Sequence, residues 1–370
     1  MTVVGSEKVD SSPLPLLPTR NIWTLALNSQ LTVPPAYDAQ RVYFGLDGER
    51  LVAYEIADGS QVWLVPARPM TQPAVGDDLI FCAEPDDLVA RRIGDGSIAW
   101  RQPLPGELST PLVALSGWLI AVTGEGSIFV FRGTDGHLVW RRDIGSPAHA
   151  APALAEGRVY IPTVDGRIVA LRVESGDPVW ERKLGGTAND VLVLGDRLYA
   201  GSKDNFFYCL MTKDGRIDWR WRTGGDVIGI PAVDDHHIYF VSLDNVLRSL
   251  NRISGAQQWM RPLPVRPVWG PLKVVDRLFV GGQAATLHAF DLKDGKPAGT
   301  LGAGAEVAAA PRLVSSSAPA MLPVVMVVTR DIAKGAAARL VTRRLEPETN
   351  PLTDPLPNVI KMGSAVPSRP

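Results

Sequence analysis

Residues 168 to 180 read Ile168-Val169-Ala170-Leu171-Arg172-Val173-Glu174-Ser175-Gly176-Asp177-Pro178-Val179-Trp180. A small residue sits inside an apolar run, a Ser-Gly pair follows, and a Trp stands four residues beyond the Gly. The chain repeats this arrangement along most of its length. Trp23, Trp63, Trp100, Trp140, Trp180, Trp219 and Trp259 are separated by 40, 37, 40, 40, 39 and 40 residues. Four residues before each Trp from Trp63 onward stands a Gly preceded by Asp or Ser: Gly59, Gly96, Gly136, Gly176, Gly215 and Gly255. A further copy, Asp294-Gly295, has Gly299 where the Trp would fall. Asp-Gly between two apolar runs marks a tight hairpin, because the turn needs a positive φ that Gly adopts without strain.

Ten residues before each Trp comes a small or slender side chain: Ala53, Ala90, Val130, Ala170, Cys209 and Ser249, with Ala289 before Gly299. Upstream lies an apolar strand, as in Val42-Tyr43-Phe44, Val159-Tyr160-Ile161 and Ile238-Tyr239-Phe240. A second turn separates the two strands, as Asp47-Gly48, Asp165-Gly166, Asp204-Asn205 or Asp244-Asn245. Earlier still Pro35, Pro73, Pro111, Pro152, Pro231, Pro271 and Pro311 mark a short segment, with Val191 in the fifth place. Each unit therefore predicts four short antiparallel strands. One such sheet cannot bury both faces alone, whereas sheets stacked radially bury them all, which is the β-propeller solution. The Trp is expected near the start of the outermost strand, packed into the small-residue slot of a neighbouring sheet.

Eight inner-strand positions occur between Pro35 and Pro311, but only seven complete outer hairpins follow them. The unpaired outer strand is at the other end, Asn21-Ile22-Trp23-Thr24-Leu25. The expected fold class is all-β: an eight-bladed β-propeller of four-stranded antiparallel blades, closed by the N-terminal strand completing the last blade. Residues 20–345 form the propeller, 1–19 and the Pro-rich 346–370 are expected to be flexible, and Ser315–Pro319 reads as an inserted surface loop.

The 370 residues carry 38 Lys+Arg and 39 Asp+Glu, a net charge of −1 that argues against bulk nucleic-acid binding. No apolar run reaches the length of about 18 residues needed to cross a membrane as a helix. Cys82 and Cys209 form no CxxC, and two buried thiols are expected in preference to a disulfide between them. No nucleophile elbow, zinc-protease, phosphate-loop or EF-hand pattern is present.

The unit Ala-x-x-x-x-(Asp/Ser)-Gly-x-x-x-Trp, preceded by an apolar strand and an Asp-Gly turn, resembles the PQQ-type propeller repeat over about residues 20–345. Its best copies are Leu51–Trp63, Ile168–Trp180 and Phe207–Trp219. One branch of that family is the quinone-dependent dehydrogenases. There the resemblance would imply a larger ring, a quinone held on the axis between a Trp and a vicinal disulfide, and a calcium-bound acid site. The other branch is the BamB-type scaffold of the outer-membrane β-barrel assembly machinery. The chain resembles this second branch in length, blade count and ring closure, and Cys82 and Cys209 cannot form a vicinal pair. A non-catalytic scaffold without a cofactor, acting as a monomer on a protein partner, is the expectation. The alternative is a PQQ-dependent oxidoreductase or a quinone-binding propeller. The resemblance implies the periplasmic face of the outer membrane. Met1 to Pro18 shows neither a signal peptide nor a lipobox, which leaves a cytoplasmic location open.

Few residues invite a ligand. Asp234-Asp235-His236-His237 is the one local cluster of metal-ligand types. Adjacent strand side chains point to opposite faces, so His236 is a weak metal candidate and a polar turn is the preferred reading. Trp269, in Val268-Trp269-Gly270-Pro271, could line the axial channel and stack on a planar ligand, against the plainer reading of interblade filler. Arg216, Arg220 and Arg222 alternate around Trp219 and Trp221 as a possible interface edge, since Arg and Trp anchor interfaces. Cross-strand cation–π contact on a solvated face is preferred there.

Overall fold

The structure, a computed structural model, describes residues 17–314, 324–331 and 334–343. Among these residues there are 33 strands and no helix, gathered into eight antiparallel sheets around a common axis. Seven sheets are four-stranded and run inner to outer in chain order: blades 1 to 7 span residues 36–66, 74–103, 113–143, 153–183, 188–222, 227–262 and 272–302. In blade 8 the inner strand is broken into Glu306–Val307 and Arg312–Val314. Val324–Asp331 and Gly335–Arg343 follow, and Thr19–Ala26 is the outermost strand. Thr24 lies opposite Arg339 and Leu25 opposite Ala338, so the two ends of the propeller are joined in one sheet as expected. Of the segments expected to be flexible, 1–19 and 346–370, only Leu17 to Thr19 are described, with Thr19 opening the outermost strand and Leu17 packed against the core of blades 7 and 8; the remainder, and the expected loop at Ser315–Pro319, lie outside the described residues.

The core lies between blades rather than at a single centre. In blade 3, Leu119 and Ala121 face blade 2, where they meet Phe81, Leu88 and Ala90. Their neighbours Ile120 and Val122 face blade 4, meeting Val159, Ile161 and Val169. Alternate residues of one strand thus enter opposite layers, and all four are nearly inaccessible to solvent. This explains why the second and third strands of each unit are apolar without interruption.

The hairpin pair of the repeat is explained locally. In blade 3 the Asp135 carboxylate accepts the His137 N–H at 3.0 Å, and Gly136 takes φ +72° to turn the chain. Asp58, Asp95, Asp214 and Asp294 accept the N–H two residues on in the same way. The Ser175 and Ser254 hydroxyls substitute for them, which is why Ser alternates with Asp at this position. One extra residue then bulges out directly before the Trp, for example Val62, Val139 and Val179, and Ile22 in the closing strand. A bulge re-aims the next side chain, here the indole.

The Trp packing differs from the sequence expectation. The small residue lies directly opposite the Trp within the same blade, as Ala53–Trp63, Ala90–Trp100 and Ala170–Trp180. The neighbouring blade offers its turn glycine instead. A Cβ on Gly136 would lie 2.7 Å from the Trp100 ring, and one on Gly176 2.7 Å from Trp140. The indole N–H of each blade then donates to a carbonyl of the next, including Trp63 to Ile93, Trp100 to Gly133 and Trp140 to Val173, at 2.7–2.8 Å. Trp23 makes the same bond to Ile56 at 3.0 Å, so the closing strand also fastens blade 8 to blade 1. Trp219 is the exception: its N–H has no partner, and the Arg252 carbonyl accepts the Tyr199 hydroxyl instead. Where Gly299 replaces the Trp, Leu17 fills the gap, 3.2 Å from the position of a Gly299 Cβ.

Candidate interaction surface

The propeller has two faces. One carries the turns inside each outer hairpin and those between the first and second strands. The other carries the turns between second and third strands together with the connections from blade to blade. On this second face the connections differ. Blades 4, 5 and 6 are joined by the short segments 184–187 and 223–226, built on Gly185-Gly186 and Gly224-Gly225. The glycines let these segments lie against the adjoining turns: Gly224 N–H donates to Asp244 at 2.9 Å. Asp244 also receives the buried Arg248 guanidinium at 2.5 Å and the Ser242 hydroxyl at 2.6 Å. Burial alone would raise its carboxyl, but the Arg248, Ser242 and Gly224 hydrogen bonds prevail and hold it at about 2.

Between blades 1, 2 and 3 the connections are longer, 67–73 and 104–112, and contain prolines. They leave two adjoining clefts, of about 460 Å³ and 500 Å³. Met70 borders both and is 54% exposed. Leu46, Ala67 and Pro69 wall the first; Ala83, Leu104 and Leu108 wall the second. Asp47 and Glu49 rim the first and Asp86 and Glu107 the second, all exposed. Arg68 is the one cation lining either cleft, and it stands 4.0 Å from Glu49.

The residues singled out in the sequence are scattered. His236 and Trp269 lie on opposite faces. His236 is exposed in the Asp234 turn, where Asp234 accepts the backbone N–H of His236 and His237 and the Tyr239 hydroxyl at 2.6–2.8 Å. Asp38 in blade 1 holds Gln40, Arg41 and Tyr43 in the same pattern with no histidine present, which supports the structural role of this turn. Trp269 is not in the inner strand, as its position suggested, but in the bend before Leu272–Val274. Its ring lies 3.0 Å from the position of a Gly281 Cβ, against the core shared by blades 7 and 8. Val33 covers Gly45 in the same way in blade 1.

Arg220, Trp221 and Arg222 lie on the outermost strand of blade 5, and Arg216 in the turn before it. The Arg220 guanidinium sits 4.8 Å over the Phe206 ring, and Trp221 packs on the Tyr199–Phe207 core with only part of its surface exposed.

The two cysteines do not form the vicinal pair that the quinone-dependent branch would imply. Cys82 and Cys209 are free and buried in separate cores, one between blades 1 and 2, the other between blades 5 and 6. Burial pushes both thiols up to about 12. Among the described residues no three of His, Cys, Asp and Glu come together as a metal site. The innermost strand of blade 5 carries one carboxyl, Asp190, which burial raises above the ordinary range. The two clefts occur where the repeat departs from its own pattern, and the legible trace of them is Arg68-Pro69 and Pro105-Gly106 at the places where the units of blades 4 and 5 have Gly185-Gly186 and Gly224-Gly225.

Comparison with known proteins agrees with this architecture. No curated protein sequence matches the chain at a significant level. BamB from Moraxella catarrhalis superimposes with a TM-score of 0.69 at 18% identity, over 90% of this chain and 99% of that one. The computationally designed Ika8 protein gives 0.70 at 13% identity, over 85% and 96%. Quinohemoprotein alcohol dehydrogenase from Comamonas testosteroni gives 0.69 at 12% identity, over 90% and 78%. At such identities these likenesses speak to the fold alone. A family model described as outer membrane protein assembly factor BamB matches residues 18–92, 87–194 and 184–321. That match spans most of the propeller, and the chain belongs to the BamB family of outer membrane protein assembly factors.

Proposed function

We propose that this chain is a non-catalytic interaction scaffold of an outer-membrane β-barrel assembly machine, working at the periplasmic face of that membrane. The family match over residues 18–321 carries the reading. The clefts beside Met70 support it, since they offer a partly apolar recess between the blades, and such recesses suit binding. Rigid blades hold these loops in place, so little ordering cost falls on the ring when a partner docks.

The rival reading is a quinone-dependent oxidoreductase, favoured by a TM-score to the alcohol dehydrogenase equal to that for BamB. Titrating the purified chain with pyrroloquinoline quinone and calcium, followed by absorbance, separates the two. A scaffold gives no bound-quinone spectrum, and the tagged chain recovers an assembly-machinery subunit from envelope extracts. Saturable quinone binding with alcohol oxidation would overturn the scaffold reading.

A further inference from the structure

We propose that the two clefts between blades 1, 2 and 3 form one docking groove for an extended cationic segment of a partner protein. An apolar side chain of that segment sits beside Met70, and Lys or Arg side chains reach Asp47 and Glu49 at one end and Asp86 and Glu107 at the other. This inference rests on the scaffold reading and names the chemistry of the partner.

Three observations carry it. The first is geometry: the clefts share Met70, so a chain crossing that side chain enters both. A half-exposed Met is a costly residue to leave in water and an adaptable one to pack against, because its thioether chain is flexible and polarisable.

The second is the state of the carboxylates. In blades 4, 5 and 6 the aspartate of the turn between second and third strands is already engaged. Asp165 holds Arg167 at 2.7 Å and Thr163, Asp204 holds the Tyr208 hydroxyl, and Asp244 holds Arg248. Glu84 and Asp87 in blade 2 are likewise tied, to Arg91 at 3.3 Å and Arg101 at 2.8 Å. Among the described residues, the Asp47, Asp86 and Glu107 side chains make no hydrogen bond or ion pair, and Glu49 meets only Arg68 at 4.0 Å. Glu125, on the next turn, extends the same field. Among the described residues, the carboxylates of this face without such partners thus gather around the clefts, with Asp226 in the connection into blade 6 standing apart from them.

The third is contrast around the ring. The glycine connections 184–187 and 223–226 are short, whereas 67–73 and 104–112 are longer; the Ala67 and Leu104 N–H groups tie their starts to the Glu49 and Asp86 carbonyls, and the length beyond those bonds borders the recess. An acidic rim around an apolar floor selects a cation-flanked apolar segment. It repels acidic segments, and its attraction weakens as salt screens the rim.

The test uses the full chain and a fluorescent dodecapeptide of alternating Lys and Leu, with a Glu/Leu peptide of the same length as control. Anisotropy titrations at low and moderate salt give the affinity. The Lys/Leu peptide is expected to bind saturably and more weakly at higher salt, and the Glu/Leu peptide not to bind. The double substitution Asp86→Lys/Glu107→Lys is expected to weaken binding at least tenfold and to confer binding of the Glu/Leu peptide. Met70→Ser should weaken it several-fold. Glu174→Lys, an exposed reversal on the opposite face, should leave it unchanged. If the charge-reversed chain does not fold by circular dichroism, Asp86→Asn/Glu107→Gln gives the same reading with a smaller loss. Equal affinity of the charge variants and the parent, equal binding of both peptides, or no binding of either would overturn the groove. Capture of the assembly subunit by a chain carrying Asp86→Lys/Glu107→Lys would remove the groove and leave the scaffold standing.

Discussion

At Gly136 two demands meet in one atom's worth of space. The residue sits at φ +72°, and a Cβ there would lie 2.7 Å from Trp100 of the preceding blade. Gly117 has a similar φ of +81°, with nothing within 4 Å of the added carbon. Alanine at Gly117 should therefore cost only the left-handed penalty of about 1–2 kcal/mol. Alanine at Gly136 adds overpacking of about 1–3 kcal/mol. Denaturant midpoints of the two variants should differ in that order, and equal losses would mean that the indole does not rest on the turn. Trp100→Ala removes the ring itself and its 2.8 Å bond to the Gly133 carbonyl, at about 3–5 kcal/mol. The 40-residue rhythm made both residues visible in the sequence. What it hid was their partnership. Asp135-Gly136 and Trp140 are written side by side in one unit, yet Gly136 touches the Trp of the unit before. Periodicity identifies equivalent residues, but it does not say which copies meet.

Among the elements, the turns between second and third strands show how one position serves two purposes. In blade 6 this turn is a lock. Asp244 ties Gly224 of the incoming connection to Arg248, which is only 8% exposed in its side chain. Asp244→Ala leaves that guanidinium buried without its counter-ion and should cost about 3 kcal/mol. The lock also has a pH signature. Its carboxyl is held at about 2, below its ordinary 3.8, so its stabilisation is complete above about pH 4 and is lost as pH falls toward 2. Thermal melts across that window should show a steeper acid loss for the parent than for Asp244→Ala; parallel curves would contradict the lock. In blade 1 the corresponding turn has no such arginine, and in blade 2 the buried Arg91 engages Glu84 but not Asp86, so Asp47 and Asp86 face the clefts instead. Sequence reading recognised the turns but not this division. Whether Asp47 or Asp244 is engaged depends on a residue of the third strand and on the connection arriving from the previous blade, neither of which belongs to the turn.

On the scale of the whole molecule, the ring is held by a strand contributed from the far end of the chain. Thr19–Ala26 pairs with Gly335–Arg343, Trp23 fastens blade 8 to blade 1, and Leu17 fills the gap left by Gly299. Deleting residues 1–26 should therefore cost more than the roughly 3–5 kcal/mol of a lost Trp. It should also promote aggregation, because the Gly335–Arg343 edge is left unpaired. Closure was legible in the sequence because a count of inner against outer strands left one of each over. The break in the eighth inner strand, at residues 308–311, was not, since Pro311 marks that unit as it marks the others. Thr24 and Arg339 lie directly opposite each other across the closing pair, where Cβ atoms in an antiparallel ladder stand about 5 Å apart. Replacing both by cysteine and oxidising the folded protein should link residues 24 and 339, giving a faster-migrating species on a non-reducing gel and a higher melting temperature. Two thiols that stay free and react rapidly with maleimide under native conditions would show that the first strand does not complete the last blade.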